Sequence, residues 1–255
     1  MRKHVILICL AVLLVSFAAG AQASADAEAL YGQGEAFYEA EQYTQALPLL
    51  TEAGDRGHSE AQYVLGLMYC LGEGVEVDYD AALGWWLKAS DQGHADAQVE
   101  IGLMYEYGEG VDIDYKEAMA WYLKAAEGGN AKAMNNIGYL YDYGMGVPED
   151  AKEAYVWYRK AADLGHAIAQ YNTGLWHRYG YGKIKKDAVE AVKWFTLSAE
   201  QSYPSAQYEL GLCYEKGEGV KKDLNYALWL YRQAETEGHE DAAKSAARLA
   251  KVVGE

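Results

Sequence analysis

Residues 97–132 read AQVEIGLMYEYGEGVDIDYKEAMAWYLKAAEGGNAK, and the same phrase of about 36 residues returns along the chain. Its first residue falls on Ala61, Ala97, Ala133, Ala169, Ala206 and Ala242, at spacings of 36, 36, 36, 37 and 36. Five residues later stands a glycine: Gly66, Gly102, Gly138, Gly174 and Gly211. A Gly-x-Gly follows, from Gly72/Gly74 to Gly217/Gly219, then an aspartate (Asp78, Asp114, Asp150, Asp187, Asp223). Four residues after each aspartate comes an alanine, and then a pair that is usually aromatic, such as Trp85-Trp86 or Trp157-Tyr158. A fixed period with every element in register marks stacked supersecondary units.

Each unit reads as two helices. In the first full repeat, Ala61, Leu65, Met68 and Tyr69 form an apolar stripe, which predicts helix A over about residues 60–71. Gly66 costs about 1 kcal/mol relative to alanine inside a helix, so its recurrence predicts a close approach of backbones. Gly72 can take the positive φ that ends a helix. Asp78 is placed to cap helix B, and Glu117, Glu153 and Glu190 complete a capping-box pattern in three repeats. Helix B ends at Gly93, Gly129, Gly165 or Gly238, followed by His94, Asn130, His166 or His239. The aromatic pairs on helix B occupy framework positions and are expected in the core.

One such hairpin cannot bury its apolar face alone, whereas five in a row can. The pattern A-x-x-x-L-G-x-x-Y-x-x-G-x-G-V followed by W-Y-x-K-A-A, seen between Ala97 and Asn130 with Ile101 in the leucine place, resembles the Sel1-like repeat family, a relative of the tetratricopeptide repeats. The resemblance implies an all-α, right-handed superhelical solenoid of stacked helix-turn-helix repeats. It places full repeats at 61–96, 97–132, 133–168, 169–205 and 206–241. Residues 26–60 match as a shorter tetratricopeptide-like unit without the Gly-x-Gly, and 242–255 as a closing helix. No linker interrupts the series, so one continuous domain is expected.

The start of the chain reads differently. Arg2 and Lys3 precede an apolar run from Val5 to Ala19, and Ala21-Gln22-Ala23 offers small residues where a signal peptidase reads. Residues 1–23 are therefore expected to be a secretory signal, cleaved after Ala23. An anchor helix would need about 20 apolar residues. Ile8 before Cys9 is too large for a lipoprotein site. The expected location is periplasmic or secreted, with no membrane span after cleavage.

With 22 Lys+Arg against 38 Asp+Glu, the net charge of −16 argues against nucleic acid and anionic membranes as partners. An apolar fraction of 51% is enough for a real core and argues against disorder. Charge is also polarised: residues 24–130 hold 4 basic and 21 acidic side chains, and residues 131–255 hold 16 and 17. Such asymmetry suits electrostatic steering of a partner and is compatible with weak head-to-tail self-association.

Chemistry-bearing residues give little sign of catalysis. Cys70 and Cys213 stand four repeats apart, too far for a bond that needs Cα atoms within about 7 Å. Cys213 shares a slot with Met68 and Met104 and reads as core; Cys70 shares one with Glu106 and Asp142 and reads as exposed. His58, His94, His166 and His239 sit at the same turn of different repeats, whereas zinc needs nitrogens about 2.0–2.1 Å from one ion. They read as turn residues bonded near a helix C-terminus. No Ser-x-x-Lys with Lys-Thr-Gly and no Gly-x-Ser-x-Gly occurs, and the Gly-x-Gly pairs lack the third glycine of a dinucleotide site. A non-enzymatic protein without metal or cofactor is expected.

The repeats act as an alignment within one chain, so slots that vary between them carry information. One helix A stripe reads Tyr63/Leu67/Cys70, Val99/Leu103/Glu106, Asn135/Tyr139/Asp142, Tyr171/Leu175/Arg178 and Tyr208/Leu212/Glu215. The family resemblance puts helix A on the concave side, so Tyr63, Glu106, Asn135, Tyr139, Asp142, Tyr171, Arg178 and Glu215 become candidates for binding a partner in a groove. The competing reading is an ordinary solvent face. The fourth repeat departs most: His177 replaces a tyrosine, Ser202-Tyr203-Pro204 replaces Gly-His, and its loop has one extra residue. Lys183, Lys185, Lys186, Lys221 and Lys222, with Arg178 and Lys216, make a candidate basic docking patch, against the alternative of drift in a tolerant loop. The resemblance implies an adaptor or regulator of the cell envelope that binds another protein. A cell-wall enzyme or glycan-binding protein is the rival reading.

Overall fold

The computed structural model describes residues 24–254. The expected signal segment and Cys9 lie outside them. The described residues contain helices and no strand, and form two compact units that meet in sequence between Asp114 and Tyr115. The first holds α1 (24–39), α2 (Tyr43–Asp55), α3 (Ser59–Leu71), α4 (Tyr79–Asp91) and α5 (Ala95–Tyr107). The second holds α6 (Tyr115–Glu127), α7 (Ala131–Tyr143), α8 (Ala151–Asp163), α9 (Ala167–Tyr179), α10 (Ala188–Glu200), α11 (Pro204–Lys216), α12 (Leu224–Thr236) and α13 (Glu240–Val253). A short 3-10 turn, Tyr181–Lys183, follows α9. Among the described residues no helix is long and apolar enough to cross a membrane.

Small residues set the packing distance within each unit. Ala61, Ala82 and Ala97 in the first unit, and Ala133, Ala154, Ala169 and Ala191 in the second, have no exposed surface. Larger side chains fill the gaps: Leu50, Leu65 and Met68 in one cluster, Tyr158 and Trp176 in another, Phe195, Leu210 and Cys213 in a third. Burying each such side chain is worth about 1.5–3 kcal/mol. The recurrent mid-helix glycine makes room for a ring rather than for a backbone, which corrects the sequence expectation. A Cβ on Gly66 would lie 2.2 Å from Trp86 Nε1, and one on Gly138 would lie 2.8 Å from Tyr158 Cδ1. The backbone approach occurs at the second glycine of Gly-x-Gly, where a Cβ on Gly146 would lie 2.7 Å from the Tyr115 carbonyl carbon.

In the first three aromatic pairs only the second member is fully in the core, whereas in the fourth both Trp194 and Phe195 are buried. Trp86, Tyr158 and Tyr231 are buried, whereas Trp85 and Trp157 are half-buried beneath the ammonium groups of Lys88 and Lys160, 3.6 and 3.9 Å from the ring centroids.

The loops close with a recurring set of bonds. Gly72, Gly144 and Gly217 adopt φ of 72°, 65° and 75° and end helix A. Asp150 Oδ1 accepts from the amides of Lys152 and Glu153 at 2.9 and 3.1 Å, capping α8. The reciprocal arm of the expected capping box is replaced: the Asp150 amide donates to Tyr141 O at 2.9 Å, and the Asp187 amide to His177 O at 2.8 Å. These bonds tie the start of helix B to the end of helix A. Glu190 uses its carboxylate on Lys193 and on the Trp194 indole N–H.

Candidate functional site

The histidines are helix caps. The amide of Ala97 donates to His94 Nδ1 at 3.2 Å, and Ala61, Ala169 and Ala242 do the same to His58, His166 and His239. Asn130 Oδ1 fills the same place before Ala133 at 3.0 Å. The histidine amides bond the end of the previous helix, as the sequence suggests, with His94 N donating to Ala89 O at 3.2 Å and His166 N to Ala161 O at 3.1 Å; the side chains add a cap on the next helix that the sequence reading did not include. The far ring nitrogens of His58 and His94 reach Glu28 and Glu60 at 3.0 and 2.9 Å.

The cap rings also explain two of the candidate groove residues. Tyr63 stacks on His94 with centroids 4.7 Å apart, and Tyr171 meets Tyr203 edge-on at 5.3 Å. Both tyrosines are half-buried and hold one repeat to the next. Three further candidates are engaged within the fold. Glu106 is buried and has interactions of its own. Arg178 is only 7% exposed and forms ion pairs with Glu209 and with Glu218, the latter at 2.9 Å. Glu215 accepts from the Tyr231 hydroxyl at 2.7 Å and pairs with Arg248 at 2.7 Å.

The remaining three candidates come together. Asn135, Tyr139 and Asp142 from α7 line a cleft of about 500 Å³ in the second unit. Tyr143 continues that wall. Ile168, Asn172, Leu175 and Trp176 from α9 form the opposite wall, with Tyr181 from the 3-10 turn at its mouth and Tyr158 from α8 as its floor. Tyr143 and Tyr181 are 64% and 51% exposed, so the rim is aromatic and open. Tyr158 and Trp176 are buried. Asn172 Nδ2 donates to Asn135 Oδ1 at 3.2 Å across the cleft. Asp142 is half-buried, and the Tyr158 hydroxyl lies 3.5 Å from its Oδ2. Burial pushes the Asp142 carboxyl above its ordinary pKa, against a smaller downward pull from that hydroxyl.

Two cleft residues missed in the sequence left a signal there. Trp176 stands in the slot that holds Met68, Met104, Leu140 and Cys213 elsewhere. Tyr181 stands between the glycines, where Glu73, Glu109 and Glu218 stand in other repeats. The extra residue of the fourth repeat follows directly, with Lys183 at a φ of 70°.

The lysines of the candidate patch are all exposed: Lys183, Lys185 and Lys186 after α9, and Lys216 at the end of α11 with Lys221 and Lys222 in the loop that follows. Arg178 does not join them, since its charge is matched by Glu209 and Glu218. Cys213 is a buried free thiol, which burial pushes up to a pKa of about 11. Cys70 is also free and is half-buried rather than exposed.

Comparison with known proteins gives a consistent picture. The Sel1 repeat matches at residues 59–94, 95–130, 131–166, 167–203 and 204–239. A Sel1 repeat protein of Oxalobacter formigenes superimposes with a TM-score of 0.74 at 37% identity, over 85% of this chain and 86% of that one. A protective antigen of uropathogenic Escherichia coli aligns with a TM-score of 0.52 at 31% identity, over 88% of this chain and 56% of that one. An immunity protein of Pseudomonas aeruginosa shares the fold at 22% identity, with a TM-score of 0.58, over 82% of this chain and 81% of that one. None of the curated proteins compared with the chain matches it.

Proposed function

Because this chain belongs to the Sel1 repeat family, whose repeats mediate protein–protein interaction, we propose that it is a non-enzymatic adaptor that holds a segment of another polypeptide in the Asn135–Tyr139–Asp142 cleft. One observation carries this reading: the cleft joins an open aromatic rim to a half-buried carboxylate, Asp142, on its α7 wall. Aromatic side chains supply large rigid contact area at low entropic cost, and a few placed polar groups fix register. The other varying positions of the same stripe are engaged inside the fold, so this is where the stripe has contact area left to offer.

We place the adaptor at the bacterial cell envelope, periplasmic or released. Support comes from the sequence of residues 1–23, with its basic start, apolar run and small-residue cleavage pattern. The exposed lysines of 183–222 serve in this reading as a secondary, salt-sensitive contact.

The test is site-specific photo-cross-linking in envelope extract. A photoreactive residue at Tyr143 is expected to trap one dominant protein, and the same group at Val252, equally exposed on α13, is not. Retention on purified cell-wall glycan with no protein trapped at Tyr143 would replace this reading with the glycan-binding one, since exposed rings also stack on sugars.

A further inference from the structure

The repeat allows each position around Asp142 to be compared with the same position elsewhere in the chain. Asp142, Arg178 and Glu215 share one slot, nine residues after Ala133, Ala169 and Ala206. Cys70 and Glu106 fill the same slot in the first two repeats, Cys70 as a half-buried thiol and Glu106 as a buried carboxyl with interactions of its own. At Arg178 and Glu215 a charge from the next repeat meets the slot. Arg178 is met by Glu209 and Glu218, and Glu215 by Arg248. Those partners stand three and twelve residues after Ala206, and six after Ala242. Beside Asp142, the same three positions after Ala169 are Asn172, Tyr181 and Leu175. All three are neutral and all three line the cleft.

The rest of the Glu215 arrangement is retained. Tyr158 stands where Tyr231 stands, with its hydroxyl 3.5 Å from Asp142 against 2.7 Å at Glu215. The two carboxyls respond in opposite directions. The bond from Arg248 holds Glu215 below its ordinary value, whereas burial raises Asp142. Among the described residues no lysine or arginine forms an ion pair with Asp142, and the nearby charge that acts on it is Glu149, of the same sign. Aromatic rings line both walls: Tyr139 and Tyr143, 4.6 Å apart between centroids, and the buried Trp176 with the exposed Tyr181, 6.0 Å apart.

We propose that the cleft is a receptor for an arginine side chain of the partner polypeptide, whose guanidinium enters between the aromatic walls and pairs with Asp142 as Arg248 pairs with Glu215. A planar cation suits this place twice over. It stacks on ring faces and donates two parallel bonds to a carboxylate. The proposal rests on the cleft being the site of partner binding, and adds the chemistry it selects.

The experiment is an NMR titration of the full chain with the blocked tripeptide acetyl-Gly-Arg-Gly-amide and its uncharged citrulline counterpart, following the Trp176 indole N–H assigned from W176F. Saturable shifts are expected with the arginine peptide, and binding about tenfold weaker with citrulline, the loss expected for one charge-assisted bond. D142N should lower arginine binding to the citrulline level. L175R should abolish it while keeping helicity, because the chain's own guanidinium would then fill the place that Arg248 fills beside Glu215. Equal binding of both peptides, or arginine binding unchanged in D142N, would overturn the proposal while leaving the interaction cleft standing. No binding of either peptide would overturn it too, and trapping at Tyr143 then decides separately whether the cleft holds a partner. Should L175R fail to fold, D142N and the citrulline comparison decide alone.

Discussion

Trp86 is packed so tightly over Gly66 that an added methyl has nowhere to go, since the ring is buried and its indole N–H is held by Tyr63 O at 3.1 Å. Gly66→Ala gains about 1 kcal/mol of helix propensity but overpacks the core at a typical cost of about 1–3 kcal/mol. At a 2.2 Å approach the second effect wins. Urea denaturation should show a net loss, whereas Gly84→Ala, in α4 with open space around its Cα, should gain about 0.5–1 kcal/mol. Asp142 gives a second expectation at this scale. Its folded pKa is raised, so ionising it opposes folding, and stability falls as pH rises through the carboxylate range. D142N should therefore melt higher than wild type at neutral pH, and the difference should vanish in acid below the ordinary aspartate value. The sequence pattern exposed the recurrence of Gly66 but not its neighbour, because a ring 20 residues away has no signature of its own. Arg178 was misleading for the same reason: its partners lie 31 and 40 residues further on.

Helix starts were the most legible elements, because a cap is a local bond between residues two or three apart. Asp78, Asp150, Asp187 and Asp223 all cap as the spacing predicts. Asp150→Ala removes two amide bonds and should cost about 0.5–2 kcal/mol by thermal or chemical unfolding. The histidine caps were less legible, since His at the N-cap gives no strong propensity signal and the neighbouring glycine drew the reading to the previous helix. His166 makes this role testable by pH. Burial lowers its pKa below the ordinary 6.5, with Lys132 adding to the effect. Its contribution is present above that ordinary value and is lost as pH falls through the lowered one. His166→Asn keeps an acceptor of the kind Asn130 provides. It should flatten stability against pH in this window, and an unchanged profile would remove His166 as its source.

For the whole molecule, the charge and the period point to different properties. A net charge of −16, with 21 acidic against 4 basic side chains in residues 24–130, opposes the compact state. Raising ionic strength should screen that repulsion and raise the melting temperature. The period made the fold class readable from the chain alone, because every framework residue recurs in register. The site was readable only in part. Asn135, Tyr139 and Asp142 stood out as variable slots, while Tyr158 is a framework residue and Trp176 and Tyr181 each deviate in one repeat. Their convergence depends on the packing of α7, α8 and α9. The most direct test is the affinity of the trapped partner for wild type and for Tyr139→Ala/Asp142→Asn, measured by calorimetry with helicity checked in parallel. The cleft account predicts at least a roughly tenfold loss of affinity with unchanged helicity; equal affinity in the two proteins would contradict it.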